Sequence, residues 1–305
     1  MSSVTIPAVA NYTNICFLNS NSTKQCDIIV PTNNSNLRGA RACPNTMSKQ
    51  LNSIPDTTID ALNAASQLAM HYFRKPVPFE IKADDSPVTI ADREIEQAIR
   101  DMLAERFPEH AVYGEEQGRS DGKGGTWVID PIDGTKSFLL GNPLFGCLVG
   151  FVEDGIVQVG GLAMPALNEI WYADRTGPTE LNNKACHTSE CDDLATASLL
   201  TSSPDFFTGE ELERFRMLGK QVRYRRYGGD CYTYAMLAGG WVDLVVESSL
   251  YPFDYLPLVP IVEQAGGVIS DWQGNPLGLD SGPQVIAAAT PKLHQAAIGI
   301  LNSLK

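Results

Sequence analysis

The 305-residue sequence is short of positive charge and histidine, and it has no paired cysteines at zinc spacing. Lys and Arg number 23 against 36 Asp and Glu, a formal net charge of −13. Covering nucleic-acid phosphates needs basic residues in excess, so no nucleic-acid partner is expected. No run of about 18 uncharged apolar residues occurs, so no membrane partner is expected either. The seven Cys, at 16, 26, 43, 147, 186, 191 and 231, include no CxxC pair. The usual zinc spacing is therefore missing, and reduced thiols in an intracellular compartment are the expectation. The four His, at 71, 110, 187 and 294, are scattered and form no zincin-type motif. Ser202-Ser203-Pro204 does not read as a Gly-x-Ser-x-Gly nucleophile elbow. No internal repeat is visible.

A hydrophobic fraction of 43% with 19% charged residues is that of a globular protein, and the length allows one or two domains. Residues 1–46 stand apart. They are rich in Asn, Ser and Thr, carry Asp27 as their one acid, and are weakly basic through Lys24, Arg38 and Arg41. They read as a disordered tail, as an organelle transit peptide, or as an extension ahead of a start at Met47. The folded part is placed at 47–305. The expected compartment is the cytoplasm, or a plastid if 1–46 is a transit peptide.

From Asp56 the pattern is orderly. Caps at Asp56, Thr57 and Thr58 precede apolar residues at helical spacing, Ile59, Leu62, Ala65, Ala69 and Phe73, and Pro76 ends the run. A second helix begins at Thr89 with Asp92 in capping-box register and Ile95, Ile99, Met102, Leu103 and Phe107 as its stripe. This places Asp92 in the first turn, beside a polar loop and outside the core. Strands are predicted over 126–130, 146–152, 155–163, 168–173, 198–201, 221–227, 242–247, 268–271 and 285–289. Helices are predicted over 210–218, 231–238, 254–265 and 293–304, with a kink at Pro260. Strands and helices without a strict βαβ repeat favour α+β layers over a doubly wound sheet.

Acids stand where apolar segments end: Gly114-Glu115-Glu116, Asp130-Pro131-Ile132-Asp133-Gly134-Thr135, and Asp254 after Tyr251-Pro252-Phe253. Carboxylates at strand ends can converge, and several oxygens around one point are what Mg²⁺ takes. Pro131 fixes a bend that can turn Asp130 and Asp133 to one centre and leave the Ile132 carbonyl free. Gly134 permits close approach, and the amides of Gly134 and Thr135 can receive an anion. Singly, each cluster also fits an ordinary solvated turn. Arg223, Arg225 and Arg226 form the one basic cluster and read as a phosphate contact, a subunit contact, or a solvated strand face.

Taken together, Gly-Glu-Glu at 114–116, Trp-Val-Ile-Asp-Pro-Ile-Asp-Gly-Thr at 127–135, and Tyr-Pro-Phe-Asp at 251–254 leading into Glu263-Gln264-Ala265-Gly266-Gly267 resemble the inositol-monophosphatase-like superfamily of Mg²⁺-dependent phosphatases. The resemblance runs from about Asp56 to the end. Within it, Ser86–Asp92, Thr135–Phe138 with Gly141–Gly146, Gly229-Asp230-Cys231-Tyr232 and Asp243–Glu247 are most similar to histidinol-phosphate phosphatases. Pro257 departs from the Ala expected there. The resemblance implies a layered α-β-α-β-α sandwich, an α+β fold, in a homodimer. It implies that Glu115, Asp130, Asp133, Asp254 and the Ile132 carbonyl hold Mg²⁺, and that Asp92, Thr135 and Glu115 are catalytic, activating a water for in-line attack on phosphorus without a phosphoenzyme. Gly134, Thr135, Gly229, Asp230, Cys231, Glu247 and Asp254 are implied on the substrate side, and Lys82 with Asp85 in a loop over the site. The expected partner is a small phosphorylated substrate, L-histidinol phosphate in the first instance. Inositol monophosphatase, fructose bisphosphatase and nucleotide 3′-phosphatase are rivals with the same metals. A non-catalytic metal-binding or interaction protein is the rival of another class, and the joint presence of the four acids and Thr135 speaks against it.

Overall fold

The computed structural model describes residues 53–82 and 86–303. The readings of 1–46 and of Asp85 lie outside the described residues. Helix α1 (Ile54–Tyr72) starts two residues before the predicted cap, because the Ser53 hydroxyl accepts the Asp56 amide at 3.1 Å. A hairpin follows, β1 (Phe79–Ile81) with β2 (Pro87–Thr89). Thr89 and Asp92 close the predicted capping box of α2 (Ile90–Arg106).

Next comes an eight-stranded sheet. Its members in chain order are β3 (Ala111–Gly114), β4 (Gly118–Ser120), β5 (Thr126–Asp133), then after helix α3 (Thr135–Leu139) β6 (Gly146–Glu153), β7 (Ile156–Met164), β8 (Glu169–Asp174), β9 (Glu180–Leu181) and β10 (Lys184–Ala185). The spatial order is β10-β9-β8-β7-β6-β5-β3-β4, with only β3 and β5 parallel.

The remaining strands make a second, five-stranded sheet. These are β11 (Ser198–Thr201), then after α4 (Gly209–Gly219) β12 (Tyr224–Tyr227), and after α5 (Tyr232–Ala238) β13 (Leu244–Glu247). Helices α6 (Pro252–Tyr255) and α7 (Leu258–Gln264) lead to β14 (Val268–Ser270), β15 (Val285–Ala288) and the last helix α8 (Pro291–Leu301). The order is β12-β11-β13-β15-β14.

The period of two along the strands accounts for the layers. In β5 Trp127 and Ile129 face α1 and α2, against Leu62, Ala65, Ile95 and Ile99, while Val128 faces the middle of the molecule. In β13 Val245 faces that same middle, and Leu244 and Val246 pack with Phe215 of α4 and Leu293 of α8. Helices α5 and α7 fill the space between the sheets. Both faces of the central strands are therefore covered, which is why they read as unbroken apolar runs. The result is the predicted α-β-α-β-α sandwich.

Two local readings need correction. The helix expected over 254–265 divides at Pro257, and Pro260 does not kink it. Pro257 has no amide to continue the α6 ladder, whereas Pro260 is the third residue of α7, in the first turn, where no donor is needed. The corner sits tightly on β7: a Cβ at Gly160 would stand 2.0 Å from the Pro257 carbonyl oxygen. The basic strand β12 is a sheet edge with every residue exposed, in keeping with the solvated-face reading of Arg225 and Arg226.

Candidate active site

Strand β5 ends in the acidic turn. Its pairing with β6 is regular to Asp130–Leu148 and then shifts, so that Asp133 pairs with Gly146. Residues three apart on a regular strand point to opposite faces. Pro131 gives no amide to the ladder, and the irregularity it creates lets both aspartates face one point. The third member is Asp254 in the first turn of α6, whose carboxylate also accepts the Tyr251 amide at 2.7 Å. One carboxylate oxygen each from Asp130, Asp133 and Asp254 lies within 4.8 Å of the others, the one such acid cluster among the described residues.

Crowding and burial govern the charge of this cluster. Burial, then Glu115, Asp133 and Asp254, hold Asp130 well above the usual carboxylate range. Burial, then Asp133, does the same to Asp254. Burial, then Asp230, pushes Asp133 up to about 7, although the Cys231 amide donates to its Oδ2 at 2.5 Å. Three adjacent carboxylates with little water to solvate them are a poor arrangement alone and a good one around a divalent cation. The donor set is all oxygen, which suits Mg²⁺.

Glu115 is placed by the parallel pairing of β3 with β5, its amide donating to the Ile129 carbonyl at 3.2 Å. Its carboxylate lies beside Asp130 and is paired with Lys82, whose Nζ stands 2.8 Å from Glu115 and 2.5 Å from Glu116. Of the four predicted carboxylate ligands, three form the cluster, and the fourth adjoins it through Asp130 while paired with the predicted loop lysine. Burial pushes Glu116 up to about 7 against the pull of Lys82. Beneath this turn lies Glu96, fully buried, accepting the amides of Glu116 at 2.7 Å and Gln117 at 3.1 Å and paired with Arg100 at 2.8 Å. Sequence reasoning missed Glu96. The available signal was an acid on the apolar stripe of α2, between Ile95 and Ile99.

Asp92 is fully buried, contrary to its predicted place beside a polar loop. The segment before α2 is the wholly buried strand β2, so the first turn is covered. Asp92 Oδ2 accepts the Thr89 amide at 2.8 Å and hydroxyl at 2.5 Å, which leaves Oδ1 facing Thr135 Oγ1 at 3.5 Å. Thr135 Oγ1 also donates to the Ile132 carbonyl at 3.0 Å. Burial pushes Asp92 up to about 6. Gly134 caps α3 with φ of +82°, and a Cβ there would stand 2.8 Å from Asp230 Oδ2.

A cleft of about 420 Å³ opens over the acids, with Gly134, Thr135, Asp230, Cys231, Glu247 and Asp254 in its walls. Asp205, Tyr234 and Lys136 line it too, and none of the three was anticipated. The Asp230 side chain makes no capping bond to α5 and instead accepts from Ser137 Oγ at 3.3 Å. Its backbone is left-handed, with φ of +45° after the buried Gly229. Cys231 is buried and supports the site through its amide. Glu247 is buried beneath the cleft, accepting the Ser202 amide at 2.6 Å, the Ser202 hydroxyl at 2.8 Å and the Thr201 hydroxyl at 3.0 Å. Burial pushes it up to about 8.

No described helix is long and apolar enough to cross a membrane. The model of the inositol monophosphatase family matches residues 50–305. The chain is 37% identical over 277 residues to the "bifunctional phosphatase IMPL2, chloroplastic" of Arabidopsis thaliana, covering 85% of this chain and 80% of that protein. It is 35% identical to a histidinol-phosphatase of Streptomyces coelicolor, covering 79% of this chain and 93% of that one. Among solved structures it matches an inositol monophosphatase from Zymomonas mobilis with a TM-score of 0.75 and 39% identity, over 81% of this chain and 96% of that one. With three carboxylates converging at the end of an irregular β5, in a sandwich of the matching architecture, the chain belongs to the inositol monophosphatase family of phosphatases.

Proposed function

We propose that the protein is a Mg²⁺-dependent phosphomonoesterase whose substrate is a small phosphorylated alcohol bearing a cation, L-histidinol phosphate first. The observation that carries the proposal is the composition of the cleft. Its wall carries Glu115, Asp133, Asp205, Asp230, Glu247 and Asp254, with Lys136 as the one lining cation among the described residues. Such a wall suits a substrate that brings its own positive charge beside the phosphate. Glu247, whose charge is disfavoured by burial, would be relieved by a cation near it.

Asp130, Asp133, Asp254, the Ile132 carbonyl and Glu115 would hold the metal. When bound, Mg²⁺ supplies charge neutralisation for the phosphate oxygens and a lowered pKa for water. The chain's own groups do the rest. Thr135 Oγ1, set between the Ile132 carbonyl and Asp92 Oδ1, can orient a water and pass its proton to Asp92 Oδ1. Asp92 suits that task because Thr89 fixes its other oxygen and a value of about 6 leaves it mostly ionised at neutral pH. The left-handed turn at Gly134 keeps the phosphate side of the cleft free of a side chain.

Relatives carry both names at similar identity, histidinol-phosphatase at 35% and inositol monophosphatase at 39%, so the choice of substrate rests on the acidic wall. Inositol phosphate is the second reading, favoured by the 39% identity of the Zymomonas mobilis structure. Phosphate release from a panel of phosphomonoesters in Mg²⁺ tests both. L-histidinol phosphate should exceed inositol phosphate by about tenfold or more in kcat/KM. The reverse order selects inositol phosphate, and release from none of them refutes the enzyme reading.

A further inference from the structure

Tyr234, the third residue of α5, lines the floor of the cleft and is only 2% exposed. Its ring belongs to the apolar layer between the two sheets. Its hydroxyl is the one buried side-chain nitrogen or oxygen among the described residues that has no hydrogen-bond partner. Buried polar atoms are nearly always satisfied, so one left unpaired at a cleft wall is open to a bond from outside the protein.

The neighbours of this hydroxyl are otherwise engaged. Glu247 is taken up by Ser202 and Thr201, Asp133 by the Cys231 amide, and Asp254 by the Tyr251 amide. Burial and the negative charge of Glu247, Asp133 and Asp254 keep the phenol protonated, so it can both donate and accept. The charges nearest to it come from both parts of the cleft wall, Asp133 and Asp254 of the acid cluster and Glu247 of β13.

We propose that Tyr234 Oη is a substrate-binding group that hydrogen-bonds a polar substituent, hydroxyl or ammonium, on the alcohol part of the substrate. This rests on the phosphomonoesterase reading above and narrows its substrate class. Unsubstituted alkyl and aryl phosphates would bind without using the hydroxyl and leave it unpaired, so the site disfavours them.

The test is Tyr234→Phe, which keeps the ring and removes the oxygen. Phosphate release is measured with Mg²⁺ on L-histidinol phosphate, inositol phosphate and p-nitrophenyl phosphate, the last having no such substituent. The variant should lose about tenfold in kcat/KM on the first two and stay within about twofold of wild type on the third. Its thermal midpoint should equal or exceed that of wild type, because no bond within the protein is lost. Equal losses on all three substrates, no loss on any, or a clear fall in thermal midpoint would each overturn the assignment while leaving the enzyme reading intact. Absence of phosphate release by the wild type on every ester would instead defeat the enzyme reading, and this inference with it.

Discussion

The carboxylate of Glu96 holds the backbone of Glu116 from below, accepting its amide at 2.7 Å and that of Gln117 at 3.1 Å. The pair joins the buried face of α2 to the turn that carries Glu115. Room for it exists because residue 114 is Gly: a Cβ there would stand 2.3 Å from a Glu96 oxygen. Replacing Glu96 by Gln swaps one acceptor oxygen for a donor facing an amide and leaves Arg100 without its charge partner. Glu96→Gln should cost about 1–3 kcal/mol of stability, and it should raise the Mg²⁺ concentration needed for half-maximal activity. Thermal denaturation and a Mg²⁺ titration check this. Wild-type values of both would mean that the turn holds itself.

Asp130 sits at the centre of the acid cluster, and its removal should affect activity and stability in opposite directions. On the proposed metal site Asp130→Asn would remove a ligand and should lower turnover by about a hundredfold or more. The same change removes a buried charge from a repelling group, so the chelated variant should unfold at a higher temperature than the chelated wild type. Chelation should abolish wild-type activity, and Mg²⁺ should restore it. Undiminished activity after exhaustive chelation would sink the metal mechanism.

Much of this arrangement is legible in the sequence because it depends on local rules. The capping box of Thr89 and Asp92, the apolar runs of β5 and β13, and the proline that disrupts β5 between two aspartates are all written within a few residues. What escapes is what packing decides. Asp92 reads as a loop-side residue, yet β2 covers it. Glu96 reads as one more helix acid until its stripe proves to face the Glu115 turn. The pairing of Lys82 with Glu115, 33 positions apart, depends on a hairpin whose tip the sequence does not aim. The orphan hydroxyl of Tyr234 is a property of every neighbour at once. Pro257 and Pro260 exchange roles because the helix end depends on how α6 meets the Gly160 backbone of β7.

Asp230 tests the choice of substrate. Its carboxylate lies beside Gly134 and Ser137 and is disfavoured by burial, against the pull of Ser137, the Lys136 charge and Ser202. A substrate cation there would gain a charge-assisted contact of about 1.5–3 kcal/mol, roughly a tenfold to hundredfold effect on kcat/KM. Asp230→Asn should therefore depress hydrolysis of L-histidinol phosphate by that factor and spare inositol phosphate. Since the side chain does not cap α5, the helix itself should be unaffected. Equal effects on the two esters would remove the reason for preferring the cationic one.

The last prediction is the pH dependence of stability, and its sign follows from burial. Asp92 is raised to about 6, Asp133 and Glu116 to about 7, and Glu247 to about 8, from ordinary values of 3.8 for Asp and 4.5 for Glu. Burial is the first cause in each case, so the folded protein binds protons that the unfolded chain has already released. Stability falls with pH wherever the folded state holds more protons. The contribution of these groups is complete below the ordinary carboxylate range and is lost as pH rises through 6, 7 and 8. Chelated protein should show a thermal midpoint that declines steadily from about pH 5.5 to about pH 8.5. Mg²⁺ held as proposed would take the deprotonated carboxylates of Asp130, Asp133 and Asp254, so it would compete with protons and stabilise most where they have left. The rise in midpoint on adding Mg²⁺ should accordingly be larger at the alkaline end, flattening or reversing the decline. A chelated protein that grows more stable across this range would mean that these carboxylates are ionised and hydrated without metal, and the case for a cation-dependent acid cluster would fail with them.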